Sequence, residues 1–175
     1  MAELVLPDGT KVMLDREMNR ALEEGVRNSG DTLNYTEVVS GGLQDSCEIY
    51  HTLRVPRGGE YTLVLADGTT VYLNAESELR FPKQFRGKKR KVYLTGEGYF
   101  DVQRNEKQPF IVEAQQVAIR VLGTSFGVRA YTREVNVLTT LVQGRVNVEA
   151  DGQQVELNPG QQADFNREND RLTVA

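Results

Sequence analysis

Several sets of residues in this chain have types and spacings that could carry chemistry. Gly123-Thr124-Ser125-Phe126-Gly127 has the GxSxG spacing of a hydrolase nucleophile elbow. That elbow requires a strand, a sharp turn and a helix, with the acid and the histidine following in chain order. Residues 128–137 read instead as strand, and the only histidine, His51, lies upstream. The motif therefore reads as a glycine-permitted bend between strands, with Phe126 in the core. His51 has no Cys/His cluster with which to complete a zinc site, and reads as a surface or half-buried histidine. Cys47 has no CxxC partner and reads as a buried inert thiol or an incidental surface residue. Glu23-Glu24 and the aspartates of the Asp-Gly turns lack the dispersed, inward-facing arrangement of a glycosidase pair. No glycine loop precedes a helix to cradle phosphate. The sequence thus assigns no catalytic residue, no cofactor or cofactor-binding residue, and no metal ligand.

The densest charge lies in residues 83–91, KQFRGKKRK. Lys83, Arg86, Lys88, Lys89, Arg90 and Lys91 fall within nine positions, with Phe85 among them. Such a run can grip phosphate, an anionic surface or an acidic partner. It can also be a solvated hairpin tip around Gly87 whose lysines guard an edge strand. These six residues are the partner-binding candidates. The net charge of -4 and pI of about 5.2 argue against a nucleic-acid partner.

The elements that must position these groups are short strands. The chain has 175 residues, 16 of them glycine, with abundant Val and Thr. That balance favours an all-β domain with many turns. A domain of about this size buries roughly 70% of its unfolded surface and needs no covalent staples. No apolar run reaches the roughly 18 residues of a membrane span. The start, MAELVLPDG, has no basic n-region or apolar core, so no export signal is expected there. A soluble piece with its targeting segment upstream fits these features.

A hairpin sequence echoes along the chain. LVLPDGTKVMLD at 4–15 and LVLADGTTVYLN at 63–74 agree at eight of twelve positions, and ADGQQVELN at 150–158 repeats the motif. Asp-Gly between strands predicts a two-residue type I′ turn, with both central residues at positive φ. The spacings of 59 and 84 residues are unlike those of a regular solenoid repeat. Residues 15–27 predict a short helix or an irregular strand, with Leu14, Met18 and Leu22 at i, i+4, i+8. Residues 28–47 read as loop around one weak strand at 33–39. From residue 52 onward turns recur every 8–12 residues, the rhythm of a sandwich or barrel.

An ordered series of blocks then carries a family resemblance. It runs through Val55-Pro56-Arg57-Gly58-Gly59-Glu60-Tyr61, Leu65-Ala66-Asp67-Gly68-Thr69, Val71-Tyr72-Leu73-Asn74-Ala75 and Phe81-Pro82 through Phe85. It continues through Leu94-Thr95-Gly96-Glu97-Gly98-Tyr99-Phe100-Asp101-Val102, Pro109-Phe110 and Val121-Leu122-Gly123-Thr124-Ser125-Phe126. Thr139-Thr140-Leu141-Val142-Gln143-Gly144 and Leu157-Asn158-Pro159-Gly160-Gln161-Gln162 complete it. Over residues 53–165 the chain resembles the periplasmic β-domain of FecR-family anti-sigma factors of Bacteroidetes type. Gly98 stands where that family more often has alanine, and Gly127 where asparagine is usual.

The resemblance implies an all-β antiparallel fold, a two-sheet jelly-roll-like sandwich, with a flattened β-solenoid as the alternative. Residues 53–175 would be the FecR-like domain and residues 1–52 an N-terminal β-rich extension. It implies no enzyme. It implies a signal relay at the periplasmic face of the inner membrane, in a single-pass protein. The partners would be the signalling domain of a TonB-dependent outer-membrane transducer and, through a cytoplasmic segment lying upstream, an extracytoplasmic-function sigma factor. A small C-terminal docking domain would follow residue 175. A carbohydrate-binding or adhesion sandwich is the rival reading, and it requires exposed aromatics on a groove.

Overall fold

Strands alone make up the regular structure of residues 2–14, 20–23, 25–38 and 48–175, which a computed structural model describes. In chain order they are β1 (Ala2–Val5), β2 (Lys11–Leu14), β3 (Arg20–Glu23), β4 (Val26–Ser29), β5 (Thr32–Asn34) and β6 (Tyr50–Val55). There follow β7 (Tyr61–Val64), β8 (Thr70–Leu73), β9 (Ser77–Pro82), β10 (Arg90–Asp101), β11 (Phe110–Ala114) and β12 (Val117–Val121). The last six are β13 (Ser125–Ala130), β14 (Asn136–Gln143), β15 (Val146–Ala150), β16 (Gln153–Leu157), β17 (Gln162–Asn166) and β18 (Arg171–Val174).

The pairings define two sheets. The first has the order β2-β1-β6-β9-β10-β11-β12-β15-β16. The second has the order β3-β4-β5-β7-β8-β10-β13-β14-β17-β18. The expected two-layer all-β sandwich is what forms, although β10–β11 and β5–β7 pair in parallel. Successive hairpins alternate between layers: β11–β12 in the first, β13–β14 in the second, β15–β16 in the first, β17–β18 in the second. Both sheets therefore grow sideways in chain order, a feature shared with a flattened solenoid.

Period-2 patterning builds one core between the layers. Val117, Ile119 and Val121 point inward from β12, and Phe126, Val128 and Ala130 from β13. Phe100 and Phe126, paired across β10 and β13, stack at 5.2 Å between ring centroids. Each such aromatic pair adds about 0.5–1.5 kcal/mol beyond its area burial.

Strand β10 is common to both layers. Residues 93–95 pair with β9, whereas residues 96–101 pair with β13. The chain turns from one sheet into the other at Gly96, whose φ is +98°. A Cβ there would lie 2.5 Å from the Ser77 hydroxyl oxygen, so both conformation and space demand glycine. The same hydroxyl accepts the N–H of Glu97 at 2.8 Å and holds the bend.

Two local expectations are corrected. The helix candidate at 15–27 contributes strands at 20–23 and 26–29, so its irregular-strand alternative holds there; residues 15–19 and 24 lie outside the described residues. A short amphipathic stretch is marginal as a helix, and the β3–β4 hairpin is joined through β5 to the second sheet. The strand expected at 33–39 is limited to Thr32–Asn34, and residue 39 lies outside the described residues.

The Asp-Gly turns differ among the three copies. Gly9 N–H donates to Leu6 O at 2.9 Å, and Leu6 N–H to Thr10 O at 2.8 Å. Gly68 and Leu65 repeat this pattern with Leu65 O and Thr69 O. Only the glycine is at positive φ in these two tips. They are three-residue loops in which a turn is followed by a left-handed glycine. The third copy is the expected two-residue type I′ turn: Asp151 (φ 49°) and Gly152 (φ 72°) join Ala150 and Gln153, which pair directly.

Candidate functional site

The basic run is not a tight hairpin tip. Residues 83–89 form the loop between β9 and β10, and Arg90 and Lys91 begin β10. Arg86, Lys88 and Lys89 are exposed and Lys83 is half-buried. Arg86 N–H donates to Glu48 Oε2 at 3.0 Å. Lys91 pairs with Glu113 at 2.9 Å, and that contact raises its ammonium pKa.

Arg90 leaves the candidate set. Its side chain is 1% exposed. Nε donates to Gln108 O at 2.6 Å, and Nη1 donates to Gln103 O at 2.6 Å and to Asp67 Oδ2 at 2.8 Å. Nη2 donates to Leu122 O at 3.1 Å and Asn105 O at 3.4 Å. The guanidinium also lies 5.4 Å from the Phe110 ring centre. Its five hydrogen bonds tie loops together: the 65–69 tip, the segment between β10 and β11, and the residue that follows β12. The fixed donor fork of arginine suits this task and the point charge of lysine does not. Alternation explains the placement, because Arg90, Val92 and Leu94 share the inward face of β10.

His51 is also internal, at 1% exposure, and not at the surface. Its Nδ1 lies 2.6 Å from the Tyr35 hydroxyl, with the rings edge-to-face. The rings of Tyr35 and Phe81 also meet edge-to-face at 5.0 Å. Ser125 opens β13, which continues as strand to Ala130, so no nucleophile elbow forms. Its hydroxyl donates to Asp101 Oδ1 at 3.1 Å. Cys47 and Glu24 lie outside the described residues. Among the described residues no group of three or more His, Cys, Asp or Glu is placed to hold a metal, and no helix is long and apolar enough to cross a membrane.

The outer face of the second sheet carries a groove of about 300 Å³ that the sequence reading did not find. Cross-strand pairing sets Thr62, Tyr72, Tyr99, Gly127, Thr140 and Gln162 in one row. The Tyr72 and Tyr99 rings are 6.1 Å apart, and Tyr72 is 48% exposed. Next to them Gly127 leaves a gap, since a Cβ there would meet only the Tyr99 ring, at 3.9 Å. Gln162 Nε2 donates to Thr140 Oγ1 at 2.8 Å, and Asn74 Nδ2 to Glu97 Oε1 at 2.5 Å.

A charged network borders the groove. Arg129 donates two bonds to Glu134, at 2.8 and 2.7 Å, and lies 3.5 Å from Glu97. Hydrogen bonding to Arg129 holds the Glu134 carboxyl below its usual range and raises the guanidinium. Arg133 pairs with Glu76 at 2.8 Å and lowers that carboxyl in the same way. Tyr131 lies beneath both guanidiniums, at 5.1 and 4.8 Å. These contacts tie the β13–β14 turn to the β8–β9 turn.

The comparisons with known proteins agree with this architecture. The model of the family described as FecR protein matches residues 51–147. A crystal structure at 2.50 Å of a candidate anti-sigma factor from Parabacteroides distasonis ATCC 8503 is 33% identical, with a TM-score of 0.70 over 72% of this chain and 59% of that one. A second, at 1.65 Å from the same organism and under the same description, is 34% identical, with a TM-score of 0.69 over 71% and 58%. No curated protein matches. The fold and the matches define a regulatory β-domain: the chain belongs to the FecR family of anti-sigma factors. It spans 59% and 58% of the two solved relatives.

Proposed function

We propose that this chain is the periplasmic relay domain of a transmembrane anti-sigma factor. In this reading it couples a TonB-dependent outer-membrane transducer to an extracytoplasmic-function sigma factor. The observation that carries it is the FecR match over residues 51–147. The function is relay rather than catalysis, at the periplasmic face of the inner membrane, with the sigma-binding segment and membrane anchor in other parts of the protein. Residues 1–52 act as an extension packed on the 53–175 domain, which is supported by the pairing of β1 with β6 and of β5 with β7.

Docking of the transducer shifts this domain between two states, and it does so only through unequal affinity for them. The surface offered is the 83–91 segment without Arg90: Lys83, Arg86, Lys88, Lys89 and Lys91. An acidic patch on the transducer is its complement. The test is a calorimetric titration with the signalling domain of the neighbouring transducer, alongside a chain extended past residue 175. Binding by both, weakened by Lys88→Glu/Lys89→Glu, supports the docking surface. Binding by the extended chain alone moves docking outside this domain. Binding by neither removes the relay reading.

A further inference from the structure

We propose that the groove on the outer face of the second sheet, between Tyr72–Tyr99 and Thr140–Gln162, binds a neutral saccharide. The proposal does not rest on the relay reading.

Three observations select the ligand class. First, two adjacent tyrosine rings, one of them half exposed, offer an apolar face with polar tips. The C–H face of a pyranose ring stacks on such a platform while its hydroxyls reach past the edges. Second, the groove has depth because Gly127 contributes no side chain to the row. Its volume of about 300 Å³ lies at the small end of the range for small-molecule sites, roughly 300–1,000 Å³. It opens along the sheet surface, which suits a chain of sugar units lying across the strands.

Third, the polar lining is neutral overall and already held in place. In the lining Glu97 lies 3.5 Å from Arg129, whose fork is held by two bonds to Glu134 at the border of the groove. Asn74 spends one N–H on Glu97 and retains its carbonyl oxygen. Gln162 spends one N–H on Thr140, and the Thr140 hydroxyl proton remains to be donated. Donors and acceptors of both kinds therefore border the tyrosines in fixed positions, as the alternating needs of sugar hydroxyls require. A phosphate or a carboxylate would face Glu97, with the Arg129 fork already taken by Glu134.

The test is a titration of the chain with maltohexaose, cellohexaose and xylohexaose, with an oligogalacturonate as the acidic control, followed by amide NMR. We expect at least one neutral hexasaccharide to saturate at millimolar concentration, with shifts centred on Tyr72, Tyr99, Gly127 and Thr140. Tyr72→Ala should weaken that binding about tenfold. Gly127→Leu should abolish it by filling the gap, with the thermal midpoint retained. The proposal is overturned if no neutral hexasaccharide saturates, if only the oligogalacturonate binds, if the shifts map elsewhere, or if both variants bind like the parent.

Discussion

The hairpin tips at 6–10 and 65–69 share a backbone and differ in what surrounds them. In each, a carboxylate accepts the N–H of the threonine two residues on: Asp8 from Thr10 at 2.9 Å, Asp67 from Thr69 at 3.0 Å. Asp8 bonds only within its own turn, to the N–H and side chain of Thr10, and is otherwise in solvent. Asp67 is 16% exposed, and its second oxygen accepts the Thr69 hydroxyl and the Arg90 guanidinium, both at 2.8 Å. Thr69 Oγ1 in turn accepts the Gln103 N–H at 3.1 Å. One long-range cation turns a self-sufficient turn into the anchor of three loops. The difference shows that a repeated motif fixes its own geometry but not its energetic role.

The comparison can be broken most forcefully at Arg90. Arg90→Ala leaves Asp67 without its cation and strips donors from four carbonyls, and should cost roughly 3–5 kcal/mol in urea unfolding. Arg90→Lys should recover little, because an ammonium cannot span those acceptors. A loss below 1 kcal/mol, by the measure of a typical net hydrogen bond, would mean that the network does not organise the loops.

Next in size is the pair of aspartates. Asp67→Ala should cost about 1–3 kcal/mol by leaving the guanidinium short of an acceptor. Asp8→Ala should barely move the denaturation midpoint. Equal effects at both positions would contradict the division drawn between the tips. The third copy gives the opposite sign: Asp151→Gly should stabilise by about 1 kcal/mol or less, because it relieves a left-handed non-glycine residue. Thermal melting is sufficient to see it.

The smallest effect is on pH dependence. Hydrogen bonding to Thr10 holds the Asp8 carboxyl below its usual value. A carboxyl depressed in the folded state stabilises above its unfolded pKa, and that contribution is lost as pH falls through the folded one. Asp8→Asn should therefore slightly flatten the loss of stability below about pH 4, read from urea midpoints. Glu134→Gln should flatten it through the same sign, by removing the carboxyl depressed by Arg129. An acid limb unchanged in both variants would show that neither pairing persists in solution.

Much of the fold was legible from residue 52 onward, because Gly and Asp-Gly punctuate short strands of clear period 2. The turn class was not legible, since the same Asp-Gly pair makes a three-residue loop at 6–10 and 65–69 and a two-residue turn at 151–152. The stagger of the flanking strands decides between them. Arg90 and His51 were misread for a related reason. Each was judged by residue type and neighbours, whereas Arg90-Val92-Leu94 and His51-Leu53-Val55 alternate inward in step. Extending the apolar period by one position would have found both. The tyrosine groove had no such signal: Tyr72, Tyr99, Gly127 and Thr140 are brought together by register between distant strands, which no local spacing encodes.

The ordered sideways growth of both sheets bears on how the molecule comes together and apart. Each new hairpin is laid beside the last one in its own layer, as Ile119 on Val148 and Thr139 on Ala163, so the pairings are ordered along the chain without being local. Loss of structure should run in reverse, as fraying inward from β2, β3, β16 and β18. Backbone amides of β10, flanked on either side in two sheets, should be the last to exchange with solvent deuterium.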